Sequence, residues 1–307
     1  MSAPLAGRHL FVFGAGYSAR RAIAQVQAAG AQVSATTRDP VRAAALAESG
    51  VRAHLFEAGI SPVDAEWLGG VTDLLISVPP DATAPPEAAC PALAALQASG
   101  AALPDLRWIC YLSSTGVYGD CGGAWVDETR VPAPATPDAR GRIGAELGWR
   151  ALAERRGIPL DILRIAGIYG PGRHNALEQV RAGGARAVVK PGHVFNRIHV
   201  DDIAGAIRAA MEHADGARIL NLADDLPAAP ADLLDHAARL LGLLPPPRVP
   251  FAEAGLPPMA AAFWAENRRI RNDRLKALPG FALRHPTYRE GLAAIIAEEI
   301  GEMANVV

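Results

Sequence analysis

Short apolar runs alternate with amphipathic stretches through the first half of the chain. His9–Phe13, Gln32–Thr36, Arg52–Leu55, Thr72–Val78, Arg107–Leu112 and Leu160–Ile165 predict strands. Most are continuously apolar, the pattern of parallel strands covered on both faces. Between them, Tyr17–Ala29, Val41–Ser49, Pro86–Ser99 and about Asp138–Arg156 predict helices. This alternation predicts an α/β fold with a doubly wound parallel sheet and right-handed crossovers. The Ala-Pro-rich segments Pro79–Pro91, Val131–Pro137 and Leu244–Pro250 read as loops, because proline removes a ladder donor and fixes φ.

After Gly170 the pattern changes. Helices separated by irregular Pro- and Gly-containing segments take over, with a return to strand at Ala217–Leu222. Asp201 or Asp202 is expected to cap a helix running through Ile203, Ile207 and Met211. The expected division is one domain over residues 1–170 plus about 196–223. A smaller C-terminal α/β lobe takes about 171–195 and 224–307. A cleft between them faces the carboxyl ends of the strands, where open α/β sheets bind ligands.

The first strand ends in Gly14-Ala15-Gly16-Tyr17-Ser18-Ala19, and a helix follows at once. Gly14, Gly16 and Ala19 fill the small positions of G-x-G-x-x-G/A: a tight turn, a close backbone approach to a pyrophosphate, and helix-on-strand packing. Tyr17 and Ser18 open the helix whose N-terminus faces the anion. This makes the domain Rossmann-type. The second strand ends in Thr36-Thr37-Arg38-Asp39-Pro40. An acid at that strand end grips a ribose 2′-hydroxyl; an arginine pairs with a 2′-phosphate. Arg38, with Thr37 adding a hydroxyl, therefore favours NADP(H) over NAD(H); the plainer reading of Arg38 is a solvated loop arginine. Asp39 reads as the cap of the next helix, with Pro40 at its first position. Val78 and Pro79 end the fourth strand, where this fold passes under the nicotinamide half.

Composition narrows the partners. Half of the 307 residues are apolar, a fifth are charged, and the net charge is −2. That gives no pull toward nucleic acid or an anionic membrane, and no apolar run is long enough to span a bilayer. Met1–Gly7 lacks the features of a signal peptide. Cys90, Cys110 and Cys121 are an odd set without metal-ligand spacing, read as reduced cytoplasmic thiols, with Cys110 inside a core strand. Phe263, Trp264 and Phe281 read as local core. Arg268, Arg269, Arg271 and Arg274 read as a solvated basic face.

Five stretches complete the pattern in order: Tyr111-Leu112-Ser113-Ser114-Thr115-Gly116-Val117-Tyr118-Gly119, Asp127-Glu128-Thr129, Leu163-Arg164-Ile165-Ala166-Gly167-Ile168-Tyr169-Gly170-Pro171-Gly172, Arg197-Ile198-His199-Val200-Asp201-Asp202, and Leu220-Asn221-Leu222. With the glycine turn they resemble the extended short-chain dehydrogenase/reductase superfamily, often labelled NAD-dependent epimerase/dehydratase. The resemblance runs from Leu10 to about Ile296. It implies a small-molecule substrate held by the C-terminal lobe, and a homodimer by family habit. Anchored on Val117-Tyr118-Gly119, it places the family's catalytic Ser/Thr position on Ser114, with Thr115 next to it.

One departure is independent of alignment. The family's Tyr-x-x-x-Lys pair lies on the helix after the fifth strand, yet no tyrosine lies between Tyr118 and Tyr169 and no lysine precedes Lys190. Aligning on Glu146 puts Asp138 and Arg142 in the two places; aligning on Gly141 puts Arg140 and Gly144 there. This resembles the superfamily's atypical branch. Replacement candidates are Tyr118, His174 as a proton shuttle near neutrality, and Arg140 or Arg142 for the lysine's ribose contact. By analogy Arg173, Asn175, Asn196 and Arg197 line the substrate side, and His199 is structural. Three readings stay open: an NADP-dependent oxidoreductase acting on a carbonyl or hydroxyl compound, a sugar-nucleotide epimerase or dehydratase, and a non-catalytic NADP(H) sensor or scaffold.

Overall fold

The computed structural model describes residues 3–57, 60–173 and 175–304. Along the chain run β1 (His9–Phe13), α1 (Tyr17–Ala28), β2 (Gln32–Thr37), α2 (Pro40–Glu48), β3 (Arg52–Leu55), β4 (Asp73–Ile76), α3 (Pro91–Ala98) and β5 (Trp108–Ser114). Then come β6 (Trp125–Val126), α4 (Pro137–Arg156), β7 (Leu160–Ile165), β8 (Gly167–Tyr169), α5 (Ala176–Arg181), β9 (Ala187–Val189), β10 (Arg197–His199), α6 (Val200–Glu212) and β11 (Ala217–Leu222). The chain closes with α7 (Pro230–Leu240), β12 (Arg248–Pro250), α8 (Pro258–Phe263), β13 (Arg269–Ile270), α9 (Asp273–Lys276) and α10 (Tyr288–Ala304).

Seven parallel strands pair in the order β11-β7-β5-β4-β1-β2-β3. The order reverses between β1 and β4, the switch point where doubly wound sheets bind ligands. Side chains of β1 alternate between two cores. Leu10 and Val12 join Ala19, Ile23 and Val26 of α1 and Ile203 and Ile207 of α6. Phe11 and Phe13 join Leu74, Ile109, Tyr111 and Trp149 on the α3–α4 side. A third core unites Leu177 and Val180 of α5, Leu234 of α7, and Leu292 and Ile295 of α10. Cys110 is buried in β5, as its apolar neighbours predict. Among the described residues no helix is long and apolar enough to cross a membrane.

Several boundaries differ from the sequence pattern. The stretch Pro86–Ser99 is a short 3-10 turn (Pro86–Ala88) followed by α3, because Pro91 forces Cys90 to extended backbone (φ −100°, ψ 94°). β4 is shorter than expected, whereas β5 continues through Ser113 and Ser114, which pair with Arg164 and Ile165. His199, not Asp201 or Asp202, caps α6; its Nδ1 accepts from the Asp201 N–H at 3.2 Å. The loop expected at Leu244–Pro250 ends in β12, which pairs with β9. Phe263 is exposed rather than core, while Trp264 is buried.

Candidate active site

The glycine turn lies at the switch point. The Thr36 hydroxyl accepts from Gly14 N–H at 2.8 Å, and the Thr36 carbonyl accepts from Ala15 N–H at 2.7 Å, so β2 holds the turn. Gly14 has φ +88°, and a Cβ there meets Val78 Cγ2 at 2.9 Å. Val78 thus shapes the turn from the end of β4, while neighbouring Pro79 is exposed. Gly16 differs: the nearest atom to a Cβ is Ser77 Oγ at 3.9 Å, so its face is open. Gly16 is the N-cap of α1, with no side-chain cap and no acid in the first turn. Ser18 and Ala19 are buried. The first-turn amides of α1, which a helix leaves without internal partners, the positive end of its dipole and room beside Gly16 fit a dinucleotide pyrophosphate.

Asp39 caps α2, accepting from Val41 N–H at 3.0 Å and Arg42 N–H at 3.3 Å. Buried Thr37 turns its hydroxyl to Asp39 N–H at 3.2 Å. Between them Arg38 is exposed and makes no side-chain hydrogen bond or ion pair among the described residues.

At the end of β5 the Ser114 Oγ accepts from Gly116 N–H at 3.0 Å, which leaves its own proton free to donate. Thr115 is buried, its hydroxyl 3.5 Å from the Ile165 carbonyl. Tyr118 has no exposed surface, donates to Asn221 Oδ1 at 2.8 Å, and carries Arg164 over its ring at 4.9 Å. Burial pushes its pKa up. Tyr118 is therefore withdrawn from the replacement acids: a phenol sealed in the core reaches no substrate. Arg142 holds Asp138 one turn earlier (Nε–Oδ2 3.1 Å) and donates to the Leu112 carbonyl at 3.1 Å, which brings its guanidinium beside the end of β5. Arg140 turns away to the Ala135 carbonyl. His174 lies outside the described residues.

A buried pair underlies this strand end. Arg164 forms two bonds to Glu146, at 3.1 and 2.7 Å, and Ser113 donates to the same carboxylate at 2.6 Å. The role of Glu146 does not follow from motif spacing along the chain. Its available signal was an acid on the inner face of a helix opposite an arginine within an apolar strand.

The far lobe rearranges the candidates. Asn175 caps α5, accepting from Leu177 N–H at 2.9 Å. Asn196 bridges the Arg268 carbonyl and Ile270 N–H, and buried Arg197 binds the Phe195 and Ala228 carbonyls. All three side chains are engaged by the protein's own backbone, which gives them a structural part. Arg268 and Arg269 are not a solvated face, since they bind the Gly119 and Gly123 carbonyls. Arg173 stands over the Tyr17 ring, and Tyr17 donates to the Pro171 carbonyl at 2.8 Å. Burial pushes the Tyr17 pKa to about 12.

Two groupings have no signature in the spacing of the chain. His199, Asp201 and His285 bring their ligand atoms within 4.8 Å of one another. A cleft of about 260 Å³ is lined by Trp125, Asp224, Asp225, Arg271, Asn272 and Lys276 among others. In it, burial raises the Asp224 carboxyl to about 7.

This geometry has relatives. A family model described as "NAD dependent epimerase/dehydratase family" matches residues 92–223. Protein YeeZ of Escherichia coli (strain K12) is 33% identical over 220 residues, covering 69% of this chain and 76% of that protein. The 3-diazoavenalumate denitrifying reductase of Streptomyces sp is 35% identical over 144 residues, 43% of this chain and 45% of that one. The structure of a functionally unknown conserved protein from Silicibacter pomeroyi DSS superposes with a TM-score of 0.83 at 43% identity, covering 95% of this chain and 99% of that one. Fold, motif order and these likenesses agree, and the chain belongs to the NAD-dependent epimerase/dehydratase family.

Proposed function

We propose that the protein is an NADP-dependent oxidoreductase acting on a carbonyl or hydroxyl compound. The observation that carries this reading is Arg38, a partnerless guanidinium at the end of β2, on the strand that anchors the glycine turn. The turn would hold the pyrophosphate, Arg38 the 2′-phosphate, and Val78 and Pro79 the nicotinamide side. The cofactor, when bound, supplies or accepts hydride. Ser114 hydrogen-bonds the substrate oxygen through its hydroxyl, keeping its own proton, and orients that oxygen. Arg142 takes the place of the family's lysine and sets a positive charge beside the strand end. Asp138, ion-paired to Arg142, puts a carboxylate rather than a phenol in the tyrosine's place, so the proton for the substrate oxygen comes from water.

The missing tyrosine weighs against the epimerase or dehydratase reading, since those reactions lean on it. The test is NADPH oxidation against a panel of carbonyl compounds, followed by nicotinamide absorbance. Turnover that falls about 10²-fold or more in Ser114→Ala supports the proposal. Tight NADP(H) binding with no turnover across the panel replaces it with the non-catalytic sensor. Tighter binding of NAD than NADP removes the role given to Arg38.

A further inference from the structure

Arg173 belongs to the segment that leaves the sheet after β8, yet its side chain returns to the glycine turn. Tyr17, the first residue of α1, fixes the geometry by donating to the Pro171 carbonyl at 2.8 Å. Gly170 permits the approach: its φ is +154°, and a Cβ there would stand 2.6 Å from Tyr17 Oη and 2.7 Å from Val200 Cγ1. The Arg173 guanidinium carbon then lies 5.4 Å from the Tyr17 ring centre, within range of a cation–π contact. No carboxylate or carbonyl among the described residues bonds this guanidinium. Arg21, one turn along α1, is different, because Glu298 at 2.8 Å and Asp201 at 3.8 Å neutralise it.

The placement is electrostatically one-sided. The start of α1 carries the positive end of the helix dipole, uncapped by any side chain and without an acid in its first turn. A free guanidinium beside it is repelled, and an anion between the two reverses the sign. We propose that Arg173 is a phosphate clamp: it closes over the pyrophosphate of the dinucleotide held by the Gly14–Ala19 turn, with Tyr17 as the platform that aims it. This rests on the dinucleotide reading above and extends it. The cofactor would be gripped from two segments, by the first-turn amides of α1 and by an arginine of the stretch that follows β8.

Full-length wild type, Arg173→Ala, Arg173→Lys and Arg38→Ala are titrated calorimetrically with NADP, NAD, ADP-ribose and adenosine 2′-monophosphate. Arg173 is exposed, so unchanged melting temperatures are expected. Arg173→Ala weakens the three pyrophosphate-bearing ligands by a common factor of about 10–100 and leaves adenosine 2′-monophosphate unchanged. Arg173→Lys recovers part of the loss, because an ammonium keeps the charge but not the fork. Arg38→Ala weakens only the two ligands with a 2′-phosphate. Unchanged ADP-ribose affinity in Arg173→Ala overturns the clamp and leaves the cofactor reading standing. So does a loss confined to the 2′-phosphate ligands. A wild-type protein that binds none of the four overturns both readings together.

Discussion

Arg142 Nε lies 3.1 Å from Asp138 Oδ2 on the adjacent turn of α4, while Arg142 Nη1 reaches the Leu112 carbonyl at 3.1 Å. The arginine is 18% exposed and the aspartate 53%. Their roles separate accordingly. Arg142→Ala is expected to weaken nicotinamide dinucleotide binding about tenfold through loss of a charged donor. Asp138→Asn removes only an exposed (i, i+4) pair and costs less than about 0.5 kcal/mol of stability. Calorimetric titration checks the first and urea denaturation the second; equal binding losses in both variants would contradict the division.

On the proposed reading, Arg38 sets which nucleotide is preferred. Arg38→Ala is expected to weaken NADP about 10–100-fold while leaving NAD within about twofold, since only NADP carries the extra phosphate. The ratio of the two dissociation constants reads this directly. A parallel loss for both nucleotides would place Arg38 elsewhere on the cofactor.

The Glu146–Arg164 pair is nearly sealed from water, with side chains 5% and 4% exposed. Removing one partner strands a charge, so Glu146→Ala is expected to cost about 3–5 kcal/mol. Ser113→Ala removes a single bond to the same carboxylate, worth about 1 kcal/mol and more if the carboxylate is left short of donors. Urea midpoints at unchanged slope separate the two. A Glu146→Ala loss no larger than that of Ser113→Ala would show the pair to be dispensable.

His199 gives stability a defined pH dependence. Burial, reinforced by the neighbouring His285, lowers its pKa from 6.5 to about 4, against the opposing pull of Asp201; Arg21 and Arg284 act in the same direction as His285. Between those values the unfolded chain binds more protons than the native one. Stability from this site is therefore full above pH 6.5 and is lost as pH falls toward 4, by roughly 2–3 kcal/mol. His199→Asn keeps an acceptor for the α6 cap and removes the titration, so its stability flattens over that window. Asp224 works in the opposite sense: raised to about 7, it is destabilising once ionised, and Asp224→Asn gains on the wild type as pH rises from 4 to 7. Denaturation series at fixed pH values test both slopes.

How much of this was legible beforehand follows from the range of the forces involved. The strands His9–Phe13, Arg52–Leu55, Leu160–Ile165 and Ala217–Leu222 have the bounds that the sequence predicts, because each is a short, largely apolar or β-favouring run bounded by turn residues and set within a strand–helix alternation. The glycine turn, the Asp39 cap and the end of β2 were readable for the same reason, since each is built from neighbours in sequence. Glycines at positions 141 and 144 of α4 had no local explanation. The fold gives one: a Cβ at Gly144 would stand 1.7 Å from the Pro86 carbonyl, and one at Gly141 would stand 3.1 Å from Pro80.

The sequence by itself determined most of the sheet strands, the glycine turn, the position of Arg38 at the end of β2 and the absence of a Tyr-x-x-x-Lys pair, all of which are local. Only the tertiary structure decided the rest. It sealed Tyr118 against Asn221, 103 positions away, and turned Arg197 and Asn196 into framework. It gathered His199 with His285 and carried Tyr17 to Pro171, 154 positions on. Such pairings depend on which strand lies beside which, and that order is set by burying the sheet's two faces together. No periodicity in the chain encodes it.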